Sequence, residues 1–158
     1  MSNSVAHALK AVLADSYALR LKTQNYHWNV EGPNFRALHV MFEEQYNELA
    51  AAIDEIAERI RALGERIEAT PSAFSKKTNI KDGDHTLDES GMVKDLFESN
   101  VKIVETLKTA LKAAEEVEDE FSVDMMIGRI GVHEKAAWML RSSLPDAVRS
   151  KAAKAADY

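Results

Sequence analysis

The chain has 158 residues, 46% hydrophobic and 29% charged, with a formal net charge of −6 and no cysteine. That length and mix describe one soluble globular domain with a sizeable core. The missing thiol excludes disulfide scaffolds, thiolate metal sites and cysteine nucleophiles, and the acidic balance argues against nucleic acid as the default partner. Residues 1–16 lack a basic start followed by an apolar core, so no signal peptide is read there. No stretch approaches the ~20 apolar residues of a membrane span, and a cytoplasmic location is expected. With only 6 Gly and 3 Pro, and Ala, Leu, Glu, Lys and Arg abundant, the composition predicts an all-α fold.

In chain order, the first helix is expected over about residues 4–29, where Val5, Leu9, Val12, Leu13, Ser16, Leu19 and Thr23 follow a three-four spacing. It ends where residues 31–34 supply Gly32 and Pro33, and Pro33 suits the first turn of a second helix. That helix, about 35–65, carries an apolar stripe of Phe35, Leu38, Phe42, Tyr46, Leu49, Ile53, Ile56 and Ile60, continuing to Leu63 and Ile67. Glu44, Glu48, Glu55 and Arg59 lie off the stripe and read as a solvated face. Residues 64–91 exceed the usual 2–8-residue link between helices, so they must cross the bundle, with one short helix near residues 72–76. A third helix is predicted over about 91–118, with Val93, Leu96, Phe97, Val104, Leu107 and Leu111 inward. A fourth is expected over about 122–145, with Met126, Ile130, Trp138 and Leu140. Residues 145–158 read as a short Ala/Lys tail of a single domain. Two helical hairpins joined by one long crossover form the ferritin-like four-helix pattern.

The candidate chemistry lies on the first two helices. His27 and His39 flank the Gly-Pro turn, and Glu43 follows His39 by one helical turn. Asp54 and Glu58 share a face of the second helix. Imidazole and carboxylate donors without thiolate suit iron, manganese or zinc. Any one of these pairs alone reads as exposed helix charge or a packing histidine. The 15 residues from His39 to Asp54 span about 22 Å of straight helix, whereas ligands of one ion lie within roughly 2.2 Å of it. A single metal can therefore engage all four only across a two-fold axis between subunits, in a self-complementary pairing that occurs twice per dimer.

Residues 22–64, KTQNYHWNVEGPNFRALHVMFEEQYNELAAAIDEIAERIRALG, resemble the Dps family of ferritin-like mini-ferritins, and the likeness extends through TPSAF and HEKAAWMLRS to nearly the whole chain. The resemblance implies a ferroxidase centre between two-fold-related subunits, built from His27 and His39 of one chain with Asp54 and Glu58 of its partner. Glu43 stands where some members carry an acidic ligand. Trp28 matches an aromatic residue beside the centre, in a position to quench radicals. The family assembles hollow dodecamers that oxidise Fe(II), preferentially with hydrogen peroxide, and store the ferric mineral. Two irons per site are implied, with zinc or manganese as substitutes. Acidic pores near the start of the fourth helix are also implied, with Asp119, Glu120 and Asp124 as candidates. Those three equally read as the acidic bias of a helix N-terminus.

DNA binding, as a nucleoid-associated protein, is the alternative function. Here the chain departs from the family's Lys-rich N-terminal tail, because only Lys10 precedes Asp15. At the other end Arg149, Lys151 and Lys154 are offset by Asp146 and Asp157. A cage acting chiefly as a zinc or manganese sink is a third reading. HEKAAW is not a zincin motif, since Ala137 stands where a second histidine is needed.

Overall fold

Asn3 accepts a hydrogen bond from Ala6 N and so caps α1, Ser4–Asn29, in the computed structural model of the protein. The structure describes residues 3–155, and side chains as far as Ala152. Helix α2 spans Phe35–Ala62, the short α3 Pro71–Lys77, α4 Glu89–Glu115, α5 Glu120–Ser142 and α6 Asp146–Ala155. The local causes are ordinary ones. Thr70 caps α3 with Pro71 in its first turn, Asp88 caps α4 and Asp119 caps α5. α2 ends three residues earlier than the apolar stripe suggests, and Ile67 packs on the core from the crossover. Where the sequence offers an Ala/Lys tail, α6 continues the chain, and Leu144 and Ala152 are buried against the bundle. Lys154, Asp157 and Tyr158 lie outside the side chains described.

Side-chain pairings fix the topology. Lys22 bonds Asp95 and Ser99, while Asp15 bonds Thr106, so α1 and α4 run antiparallel. Glu48 pairs with Arg129 and Arg59 with Asp119, so α2 and α5 also run antiparallel. With a short turn closing each hairpin, α2 and α4 are parallel, and the crossover carrying α3 makes this possible. The buried Asp15 fastens that crossover. It accepts hydrogen bonds from Thr78 Oγ1, Asn79 N and Thr106 Oγ1, each at 2.7 Å. Phe74 of α3 adds a ring contact to Tyr17, 4.8 Å between centroids.

The core is a continuous apolar cluster from α1, α2, α4 and α5, centred on Leu9, Leu19, Phe42, Ile56, Phe97, Leu107 and Met126. Two expected inward residues face out: Phe35 is 44% exposed and Trp138 is 55% exposed. The buried face of α5 is Ser122, Met126, Arg129, His133, Ala137 and Leu140. Its polar members carry the phase, and Trp138 is turned about 100° from Ala137. No helix among the described residues is long and apolar enough to cross a membrane.

Candidate metal centre

His27 lies in the last turn of α1 and His39 in the second turn of α2. The rings stack, with centroids 3.8 Å apart and planes 14° from parallel. His27 Nδ1 lies 2.7 Å from the His39 carbonyl oxygen, and His39 Nδ1 lies 2.7 Å from the His27 carbonyl oxygen. A carbonyl oxygen only accepts, so each Nδ1 carries the proton. The His27 carbonyl is one of those a helix C-terminus leaves unpaired, and the His39 ring satisfies it. In a neutral ring the other nitrogen, Nε2, then holds a free lone pair. No hydrogen bond engages either Nε2 among the described residues. This Nδ1–H to carbonyl bond is the usual means of orienting a ligating histidine. Tyr46 stands edge-on to His27 at 5.1 Å, and Phe35 packs on His39 at 5.0 Å.

The carboxylates stand elsewhere. Glu43, Asp54 and Glu58 are all exposed on α2. Glu58 lines an open pocket of about 490 Å³ with Glu55, Arg59 and Phe121. The single chain thus brings the two histidines together and does not bring Asp54 or Glu58 to them. Among the described residues no three His, Asp or Glu side chains gather closely enough to hold one ion. Trp28, next to His27, is 64% exposed.

Of the three acidic residues at the start of α5, Asp119 is engaged internally. Its Oδ1 accepts from Arg59 Nη2 at 2.6 Å and Ser122 N at 3.1 Å, and its Oδ2 accepts from Ser122 Oγ at 2.6 Å. Partial burial raises its pKa, but the bonds from Arg59 and Ser122 outweigh this and hold it below the usual carboxylate range. Glu120 and Asp124 are exposed.

Sequence reasoning missed a buried polar layer around these sites. Lys22 is buried and paired with Asp95 at 3.1 Å, and Tyr26 donates to the same carboxylate. His133 bonds Asn100 through Nδ1 and Arg129 through Nε2. His133 and Asn100 line a pocket of about 300 Å³ between α2 and α5, with Met41, Gln45 and Met139. An apolar periodicity gives no sign of such residues. Their signal is a polar side chain in phase with a buried stripe, as Lys22 and Thr23 are with Leu19.

A helical bundle with a long crossover and a ligand-ready histidine pair belongs to the ferritin-like class, and the family model described as a ferritin-like domain matches residues 6–149. DNA protection during starvation protein 2 of Bacillus anthracis is 37% identical over 144 residues, covering 91% of this chain and 99% of that protein. The crystal structure of a Dps protein from Bacillus brevis superposes with a TM-score of 0.86 at 36% identity, covering 90% of this chain and 97% of the other. A Vibrio cholerae Dps protein, described as a member of a broad superfamily of ferritin-like diiron-carboxylate proteins, gives 0.85 at 33% identity, over 89% and 90% of the two chains. The chain belongs to the Dps family of mini-ferritins.

Proposed function

We propose that the protein oxidises and stores iron, with Fe(II) as substrate at sites shared between two-fold-related subunits of a hollow dodecamer. The observation that carries this is the reciprocal bonding of His27 and His39, which stacks the two rings and leaves Nε2 of each without a hydrogen-bond partner among the described residues. The donor chemistry fits iron: imidazole binds Fe(II), and carboxylate favours the harder Fe(III). Asp54 and Glu58 lie on an exposed face, available to a partner subunit. In this reading His27 and His39 bind the metal from one chain, and Asp54 and Glu58 complete the site from the other. Glu43 is an additional carboxylate one turn from His39. Two Fe(II) ions each surrender one electron, and hydrogen peroxide takes both. Its O–O bond breaks and two protons complete two waters, so no hydroxyl radical is released. Trp28 stands beside His27 as a sacrificial reductant for any one-electron leak.

Glu120 and Asp124 are the free carboxylates of the proposed entry pore, where an acidic lining concentrates cations. Asp119 contributes by holding the start of α5 in place. DNA protection is named for a relative, but here Arg149 is paired with Asp146 and the chain's net charge is −6. Iron oxidation is therefore adopted as the function. The test is the quadruple variant His27→Ala, His39→Ala, Asp54→Ala, Glu58→Ala, mixed anaerobically with Fe(II) and then peroxide. Iron oxidation is expected to fall to the protein-free rate. Oxidation at the wild-type rate overturns the reading.

A further inference from the structure

The turn that joins the two histidine-bearing helices is gripped from a third helix. Asn34 is the N-cap residue of α2, and an asparagine there ordinarily accepts from a backbone N–H two or three residues on. Asn34 makes no such bond. Its Nδ2 donates instead to Glu89 Oε1 at 2.7 Å, and its backbone N–H donates to Glu89 Oε2 at 3.2 Å. The same carboxylate closes over the turn. Gly32 has φ +139°, and a Cβ built there would run into Glu89 Oε2. Only glycine satisfies both the backbone angle and the space.

Glu89 occupies the first turn of α4, where an acidic residue commonly serves its own helix through the dipole. Here both oxygens bond Asn34 instead, and Asp88 caps α4. A second tether reaches the other side of the pair. Tyr26, immediately before His27, donates to Asp95 Oδ2 on α4 and accepts from Asp84 N of the crossover at 3.0 Å. The residue before His27 and the turn before His39 are thus both tied to α4 and its approach, which supply no candidate ligand. The ring-to-carbonyl bonds demand that tie, since each ring must reach a backbone oxygen of the opposite helix at 2.7 Å. A hairpin free to splay at residues 31–34 loses both bonds together.

We propose that Glu89 is a positioning residue for the histidine pair: by holding Asn34 and closing over Gly32, it keeps both imidazoles in the Nδ1–H form that presents Nε2 to a metal ion. This rests on the reading of His27 and His39 as metal ligands. The experiment compares wild type, Glu89→Ala, Glu89→Gln and Lys10→Ala as full assemblies. Lys10→Ala removes a part-exposed ion pair of similar length, Lys10–Glu65 at 3.1 Å, far along the bundle.

The deciding measurement is solid-state ¹⁵N NMR of histidine-labelled, metal-free protein. Wild type shows rings protonated and hydrogen-bonded at Nδ1 at His27, His39 and His133. Glu89→Ala loses this signature at His27 and His39 and keeps it at His133, which reports that the bundle is intact. Glu89→Gln, retaining one carbonyl oxygen for Asn34, restores it in part, and Lys10→Ala leaves all three unchanged. Cobalt(II) titration, followed by its visible absorption, then shows affinity reduced about ten-fold in Glu89→Ala, the low end for loss of a supporting contact to a metal ligand. Unchanged His27 and His39 signals, or equal loss at His133, overturn the inference whatever the cobalt affinity. So does unchanged affinity where wild-type binding depends on the two histidines. Failure of the underlying reading is distinct: wild type then binds cobalt no better than a His27→Ala, His39→Ala variant, while the nitrogen signals still judge Glu89.

Discussion

Three imidazoles in this chain carry their proton on Nδ1, and the partner of the remaining nitrogen separates their roles. His27 and His39 each leave Nε2 unengaged, whereas His133 Nε2 accepts from the Arg129 guanidinium at 2.9 Å while Nδ1–H donates to Asn100 Oδ1 at 2.8 Å. His133 therefore has no lone pair to offer, and its work is to satisfy a buried polar layer. Burial, with the neighbouring Arg129 charge, pushes its pKa down to about 3. An unfolded histidine titrates near 6.5. Between about 6.5 and 3 the unfolded chain therefore binds a proton that the folded one refuses, and stability falls as pH falls through that window. Glutamine at this position can donate to Asn100 and accept from Arg129 without titrating. Relative to His133→Gln, wild type is expected to lose about 1.4 kcal/mol per pH unit below 6.5. Urea unfolding of both proteins at pH 7.5 and pH 4.5 measures this. A gap between them that ignores pH would show that His133 is not held neutral.

At the scale of helices, long side chains bridge the seam between α2 and α5. Arg59 donates to Ser122 Oγ at 2.9 Å and Asp119 Oδ1 at 2.6 Å, and its guanidinium lies 4.8 Å from the centre of the Phe121 ring. Arg59→Ala leaves the partly buried Asp119 short of a partner, with an expected cost of about 1 kcal/mol. The lowered pKa of Asp119 sets the sign. The Arg59 contribution is full above the ordinary carboxylate pKa and is lost as pH falls through the depressed one. Thermal midpoints of wild type and Arg59→Ala should differ at pH 7 and draw together in strong acid; an equal difference at both would refute the pairing. The same seam shows where sequence reading succeeds and stops. On α4 most inward residues are apolar, and the spacing of Val93, Leu96, Phe97, Val104 and Leu107 places them correctly in the core, with Ser99 and Asn100 as its buried polar members. On α5 the buried face includes Ser122, Arg129 and His133. A search for apolar period then prefers Trp138, which the structure leaves exposed. The His27–His39 proximity was legible because a Gly-Pro turn must bring both flanks together. The Glu89 contact was not, because it joins residues 55 apart through a carboxylate that resembles any helix-start acid.

For the whole molecule, the separation of ligands along α2 becomes a statement about assembly. The subunit presents a histidine pair at one end of its first hairpin, with Asp54 and Glu58 exposed about 22 Å or more along α2, so the proposed centre needs a second copy. This predicts complementation. One variant carries His27→Ala and His39→Ala, and the other carries Asp54→Ala and Glu58→Ala. Each alone should be inactive in peroxide-driven Fe(II) oxidation. In a mixed two-fold pair, one site combines both sets of lesions and is dead. The other combines intact histidines from the second variant with intact carboxylates from the first. Random co-assembly from equal amounts makes half the pairs mixed, with one live site in two, so activity should recover to about a quarter of wild type. Co-expression with distinct tags, tandem purification to confirm mixed assemblies and stopped-flow oxidation measure it. A centre built within one chain would give no recovery in any mixture, because every subunit would still lack half of its ligands.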